Sequence, residues 1–223
     1  MSIPYALTDT SLTLFIDCVP YAIPKSHANW QRILDALANG DDVMPLLDIG
    51  RSLETFMEGR VKYENRTLTV DGNPVDNNLT RRIIQFMESG QDGLARPLIA
   101  ALDRIMRNPS YRAIKGLWDW TMKSGLPWTP DGYILAWKIV NDDYTDCYTG
   151  RFDNSVGNIV DVPRNQVDED ADKTCSYGLH FCSTGYLPHY GPSDKRVVVV
   201  KIDPADVVAF PSDYDTAKGR CCK

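Results

Sequence analysis

Five side chains between Cys175 and Lys201 could do chemistry: Cys175, His180, Cys182, His189 and Lys201. Cys175, His180 and Cys182 offer three soft metal ligands, with His189 or Cys221 available as a fourth. Structural zinc closes with four ligands, often supplied as close pairs, and the spacing here contains no CxxC. A thiol filling a core at Cys182 and a half-buried imidazole at His180 account for the same residues, so no metal site is expected. Nucleophilic catalysis needs a thiolate with a base in reach. His180 or His189 could supply one to Cys175 or Cys182, and the only other histidine is His27. Nothing in the spacing requires that geometry, so no catalytic residue is expected and the chain reads as a binder without an enzymatic step.

The elements that hold these residues read as strand, short helix, strand. Leu179–Cys182 follows Gly178 as a short apolar run entering a core. Ser183 or Thr184 can cap a turn that carries Tyr186, Leu187 and Tyr190 at helical spacing. Gly191, Pro192 and Ser193 break it. Val197–Val200 is a continuous β-branched run, which predicts a strand in the middle of a sheet.

The flanking chain changes character once. From 11 to 23 short extended pieces precede a helix with Trp30, Ile33, Leu34 and Leu37 on one face, closed by Gly40; a shorter helix is expected over Val43–Met57. TLTVDGNPV at 67–75 echoes TLFIDCVPY at 13–21, each followed by a helix with a double aliphatic centre. Either a duplicated strand-helix unit or a coincidence of short amphipathic pieces explains this. Residues 94–124 carry the best helical pattern, interrupted at Asn108-Pro109-Ser110, with Ser110 as a cap and Trp118 and Trp120 as core and rim of a helix packing. LPWTPDG at 126–132 is a stiff turn, after which the pattern is mostly β. YILAWKIV at 133–140, an edge strand at 158–167 demoted by Pro163, DVVAFP at 206–211 and GRCCK at the end read as strands. The strand pattern running into Cys221 and Cys222 implies that the natural product continues. The expected fold is α+β: a mainly helical N-terminal part with short strands (1–125), and a mixed or antiparallel β C-terminal part (126–223).

Composition narrows the function classes. The 223-residue chain is 43% hydrophobic with a net charge of −6 and a pI near 5.0, enough to bury a core and too acidic, without a basic stripe, for nucleic-acid binding. No apolar run reaches membrane-spanning length and no secretory signal opens the chain, so reduced cysteines in a cytosol are expected. Asp142, Asp143, Asp146 and Asp153 lack the spacing of a calcium loop and read as solvated turn residues.

GYILAWKIV, DDYTDCYTGRFDNSVG, VPRNQVDEDADKTCSYGLHFCSTGYL and VVVKIDPADVVAFPSDYDTAKGRC, with the NPS…GLPWTPDG lead-in at 108–132, resemble the rIIB-like proteins of tailed bacteriophages. The resemblance is dense over about 108–223 and looser before. It implies an early phage protein in the host cytoplasm, peripheral to the inner membrane beside an rIIA-like partner, with links to lysis inhibition and to overcoming a host exclusion system. It carries no catalytic residue and no cofactor. Gly178–Phe181 with the following Tyr is also similar to the inner unit of the ADP-ribosyltransferase fold, where aromatics hold nicotinamide and a downstream glutamate steers the ribose. No glutamate follows Glu169 here. That likeness implies nucleotide binding without transfer, with His180, Tyr186 and Tyr190 lining the pocket and Arg164 meeting a phosphate. A protein partner and a nucleotide therefore both stand as expected ligands.

Overall fold

A computed structural model describes residues 3–16, 19–25, 27, 29–47, 60–64, 67–88, 91–190, 195–212 and 218–223. The chain forms two compact units, 1–99 and 100–223. The turn at 126–132 marks where helices give way to strands. The units themselves divide at 99, because the helix before that turn packs on the C-terminal sheet through Trp120, edge-on to Phe181 and stacked on Phe210.

The first unit is richer in strands than its helical periodicity predicts. Strands β1 (Tyr5–Leu7), β2 (Ser11–Ile16) and β3 (Val19–Pro24) form one antiparallel sheet. Strands β4 (Val61–Glu64), β5 (Thr67–Val70) and β6 (Asn73–Pro74) form another. Helices α1 (Trp30–Asn39) and α2 (Met44–Leu47) follow the first sheet, and α3 (Asn78–Glu88) and α4 (Asp92–Met106) the second. The echoed segments thus fold alike, each as a hairpin from the central strand of a three-stranded sheet into a helix. Leu12 and Leu14 alternate inward on β2 and meet Ile33, Ala36 and Val43 in a closed core, the period-two and 3.6 patterns meeting as physics demands. Gly40 ends α1 at φ +77°. The expected continuation of α2 past Leu47 lies outside the described residues.

The second unit begins in α4 and continues into α5 (Tyr111–Lys123), whose Ser110 Oγ accepts from the Ala113 N–H. Strands β7 (Ile134–Val140), β8 (Leu179–Cys182), β9 (Arg196–Ile202), β10 (Val207–Ala209) and β11 (Lys218–Cys221) make one sheet in the order β10-β11-β8-β7-β9, all neighbours antiparallel. Three expectations are corrected. Residues 158–167 form no strand: Pro163 lacks an N–H and starts a 3-10 turn at Arg164–Gln166, leaving the Val162 N–H bonded to the Cys222 carbonyl. The segment between β8 and β9 is a 3-10 turn, Thr184–Tyr190, with Pro188 inside it, and β7 lies between those two strands. The valine run is at the sheet's edge, with Val197 and Val199 52% and 62% exposed.

Side-chain bonds lock the frame. Asn108, buried at the α4–α5 junction, donates from Nδ2 to the Pro204 and Val207 carbonyls and accepts at Oδ1 from Arg164 Nη2. Arg104 reaches the Asp131 carbonyl and the Asp203 carboxylate at 2.6 Å while covering the Tyr133 ring. These ties explain the Asn-Pro-Ser lead-in: the asparagine fastens the helices to the strand that opens at Val207.

Candidate functional site

The site is a groove of about 1140 Å³. One wall is the continuous run 196–203, which is β9 and its exit. The other is the loop 154–160, with Val156 and Ile159 standing 92% and 74% exposed. Lys138 and His180 also line it.

Asp146 organises the 148–152 turn that leads into the loop wall. Its carboxylate is buried and accepts the N–H groups of Tyr148, Thr149, Arg151 and Phe152 and the Thr149 hydroxyl. Burial would raise its pKa; the bonds from Phe152, Thr149 and Arg151 outweigh that and hold it well below the usual carboxylate range. Asp153 accepts from Ser155 and Asn158, and Asn154 donates to the Tyr144 and Phe152 carbonyls. The expectation of solvated turn acids is corrected for Asp146, which serves as the organising acceptor of its loop. Among the described residues no cluster of His, Cys, Asp or Glu could hold a metal ion.

Of the three described side chains among the four expected to form a ligand pocket, only His180 lines this groove. Arg164 donates to the Ala205 and Val207 carbonyls and to Asn108, away from it. Tyr186 lies against the His189 ring and beside Lys218. The side chain of Tyr190 lies outside the described residues.

His180 sits among cations. Arg220 is its cross-strand partner, and Lys138 Nζ donates to its carbonyl at 3.0 Å. Burial, then Lys138, Arg220 and Lys218, pull the His180 pKa down to about 4, against a backbone bond at Gly178 that raises it. Burial likewise lowers the Lys138 pKa. Arg220 is fully buried and donates to the Lys173 and Asp170 carbonyls. The sequence carried a signal for these cations: Lys138 inside an apolar strand, and Lys218 and Arg220 flanking a glycine in another. Strand cations that fold inward must be paired or shift their titration.

The imidazole is therefore neutral at ordinary pH, and its pKa is below its unfolded value of 6.5. A depressed pKa contributes stability above pH 6.5 that is lost as pH falls through 4, by about 3 kcal/mol over that window. Urea unfolding at stepped pH should show this loss, and His180→Leu should lack it; an imidazole resonance titrating near the unfolded value would contradict the account.

The described thiols are set against ionisation where they are buried. Cys182 donates to the Trp137 carbonyl, and burial pushes its pKa up to about 11; burial pushes Cys221 up to about 12. Burial also raises Cys222. Cys175 is exposed.

Comparison with known proteins finds one family model, described as bacteriophage T4 protein rIIB, matching residues 52–223. The chain is also 37% identical over 215 residues to protein rIIB of Enterobacteria phage T4, covering 95% of this chain and 68% of that protein. No solved structure matches it.

Proposed function

This chain belongs to the family of bacteriophage T4 protein rIIB, and from that premise we propose that it acts in the infected host by binding a host or phage component in the groove along β9, without a bond-making step. The observation that carries the reading is the groove itself: an open cleft bounded by aliphatic side chains that a solvated surface has no reason to display together. The buried thiols, set against ionisation, and the neutral imidazole support recognition over nucleophilic chemistry. Countering a host defence and modulating lysis are the outcomes this binding serves, with an rIIA-like protein as one candidate partner. The place of action is the host cytoplasm or the face of the inner membrane; no helix among the described residues is long and apolar enough to cross a membrane.

A photo-crosslinking residue at position 199 tests this in infected cells. A reproducible adduct with one phage or host component is expected, absent when the crosslinker replaces Tyr148, which is 97% exposed away from the groove lining. Equal adducts from both positions would overturn the reading. A nucleotide is the second candidate ligand, favoured by the cations in the groove. The phosphate role for Arg164 would require breaking its three bonds to protein oxygens, so thermal shift with ADP-ribose is expected to be small.

A further inference from the structure

Resting on the binding reading above, we propose that the groove takes an extended segment of a partner protein, apolar at alternate positions and acidic at its ends, which adds to the free edge of β9 as a sixth strand. The seven residues of β9 pair with β7 from Arg196↔Val140 to Ile202↔Ile134 without a register break, and with no other strand among the described residues. A strand so placed presents a row of unspent N–H and C=O groups. Natural sheets blunt such edges with short strands, prolines or bulges. The opposite edge obeys this rule: β10 has three residues and a register shift between Val207 and Ala209. Charged side chains are a further such device; the β9 edge, RVVVVKI, is seven residues long with no proline or register shift, and its only charges are Arg196 and Lys201 near its ends.

The cleft, which runs along that edge and reaches across to Lys138, Leu179, Phe181 and Cys221, has the size for a peptide. Small-molecule sites run from about 300 to 1,000 Å³, and this one is about 1140 Å³ and follows the whole strand. Its charge selects the partner. Lys138, Arg196, Lys201 and Lys223 line it against Asp203 and Asp206, four cations to two carboxylates, in a chain of net charge −6. Arg196 and Lys201 pair with Asp142 and Asp131, but those pairs are solvent-exposed and exchange at little cost. Backbone pairing gives affinity in this mode, and alternate side chains give selectivity.

The test uses the full chain and a fluorescein-labelled peptide, Glu-Val-Thr-Val-Thr-Val-Glu, read by anisotropy and by hydrogen exchange. Binding is expected, with new amide protection confined to 196–202. A version ending in lysines should bind at least about tenfold more weakly, and one with proline at its centre should not bind. Val197→Glu with Val199→Glu, both at exposed positions and checked for an unchanged melting temperature, should abolish binding. Equal binding of all three peptides, protection elsewhere, no binding at millimolar peptide, or a β9-dependent homodimer in sedimentation each overturns the proposal. A discrete crosslink at position 199 alongside any of these results would sink the added strand while leaving the broader binding reading intact.

Discussion

Replacing Gly132 by alanine is expected to destabilise the second unit by about 4 kcal/mol, a sum of left-handed strain and overpacking. Gly132 sits at φ +78°, and a Cβ there would lie 2.4 Å from the Ala100 carbonyl carbon and 2.5 Å from the Ala101 nitrogen. Those atoms are helix backbone, so no side chain can swing aside. The turn that Gly132 closes also carries Asp131 and Tyr133, which engage Arg104 and Lys201, so the strain reaches the exit of β9. Four of the five tryptophans lie in this unit (118, 120, 128 and 137), making fluorescence-monitored urea unfolding the natural measurement. Gly157→Ala is the matched control: φ is +93° and nothing lies within 4 Å of the added carbon, so only the conformational penalty of about 1–2 kcal/mol applies. Equal costs for the two variants would show that the turn does not press on α4.

Asp146→Ala is expected to cost about 3 kcal/mol, because it leaves several donors without their charged acceptor. Any effect on the groove should be smaller, since the 148–152 turn that Asp146 organises leads into the 154–160 wall without itself lining the groove. Its pH dependence has a defined sign. The carboxyl pKa is lowered in the folded chain, so its contribution is complete above the unfolded value of about 4 and drains away as pH falls further. Asp146→Asn should therefore narrow the gap to the parent below that pH. A variant as stable as the parent at pH 7 would mean that water replaces the carboxylate without cost.

Patterns confined to one segment were legible in the sequence. Ser110 followed by an amphipathic stretch gave α5, Gly40 gave the end of α1, and the apolar runs at 134–140 and 179–182 gave the two strands beside each other at the sheet's centre. The family was legible through combined motifs. Strand order was not: four consecutive valines state β propensity and burial potential, but whether a second strand lies alongside depends on where the chain goes next. The N-terminal sheets were underread because β1, β4 and β6 are two to four residues long, too short to show a period against strong neighbouring helices. Asp146 was misread because aspartates in a polar turn look alike until the backbone curls around one of them. Among the site residues, His180 was singled out as an imidazole beside two thiols and by the likeness to the ADP-ribosyltransferase unit, whereas Lys138 and Arg220 needed the pairing of β7, β8 and β11 to show that their charges converge.

The central claim is that the second unit is a binding scaffold whose buried thiols and imidazole serve packing and electrostatics. Native-state alkylation with iodoacetamide at pH 7.5, followed residue by residue by mass spectrometry, addresses it directly. The account predicts that Cys175 is modified while Cys182 and Cys221 stay silent until urea unfolds the chain. Modification of Cys182 or Cys221 in the folded protein faster than a free thiol would contradict it.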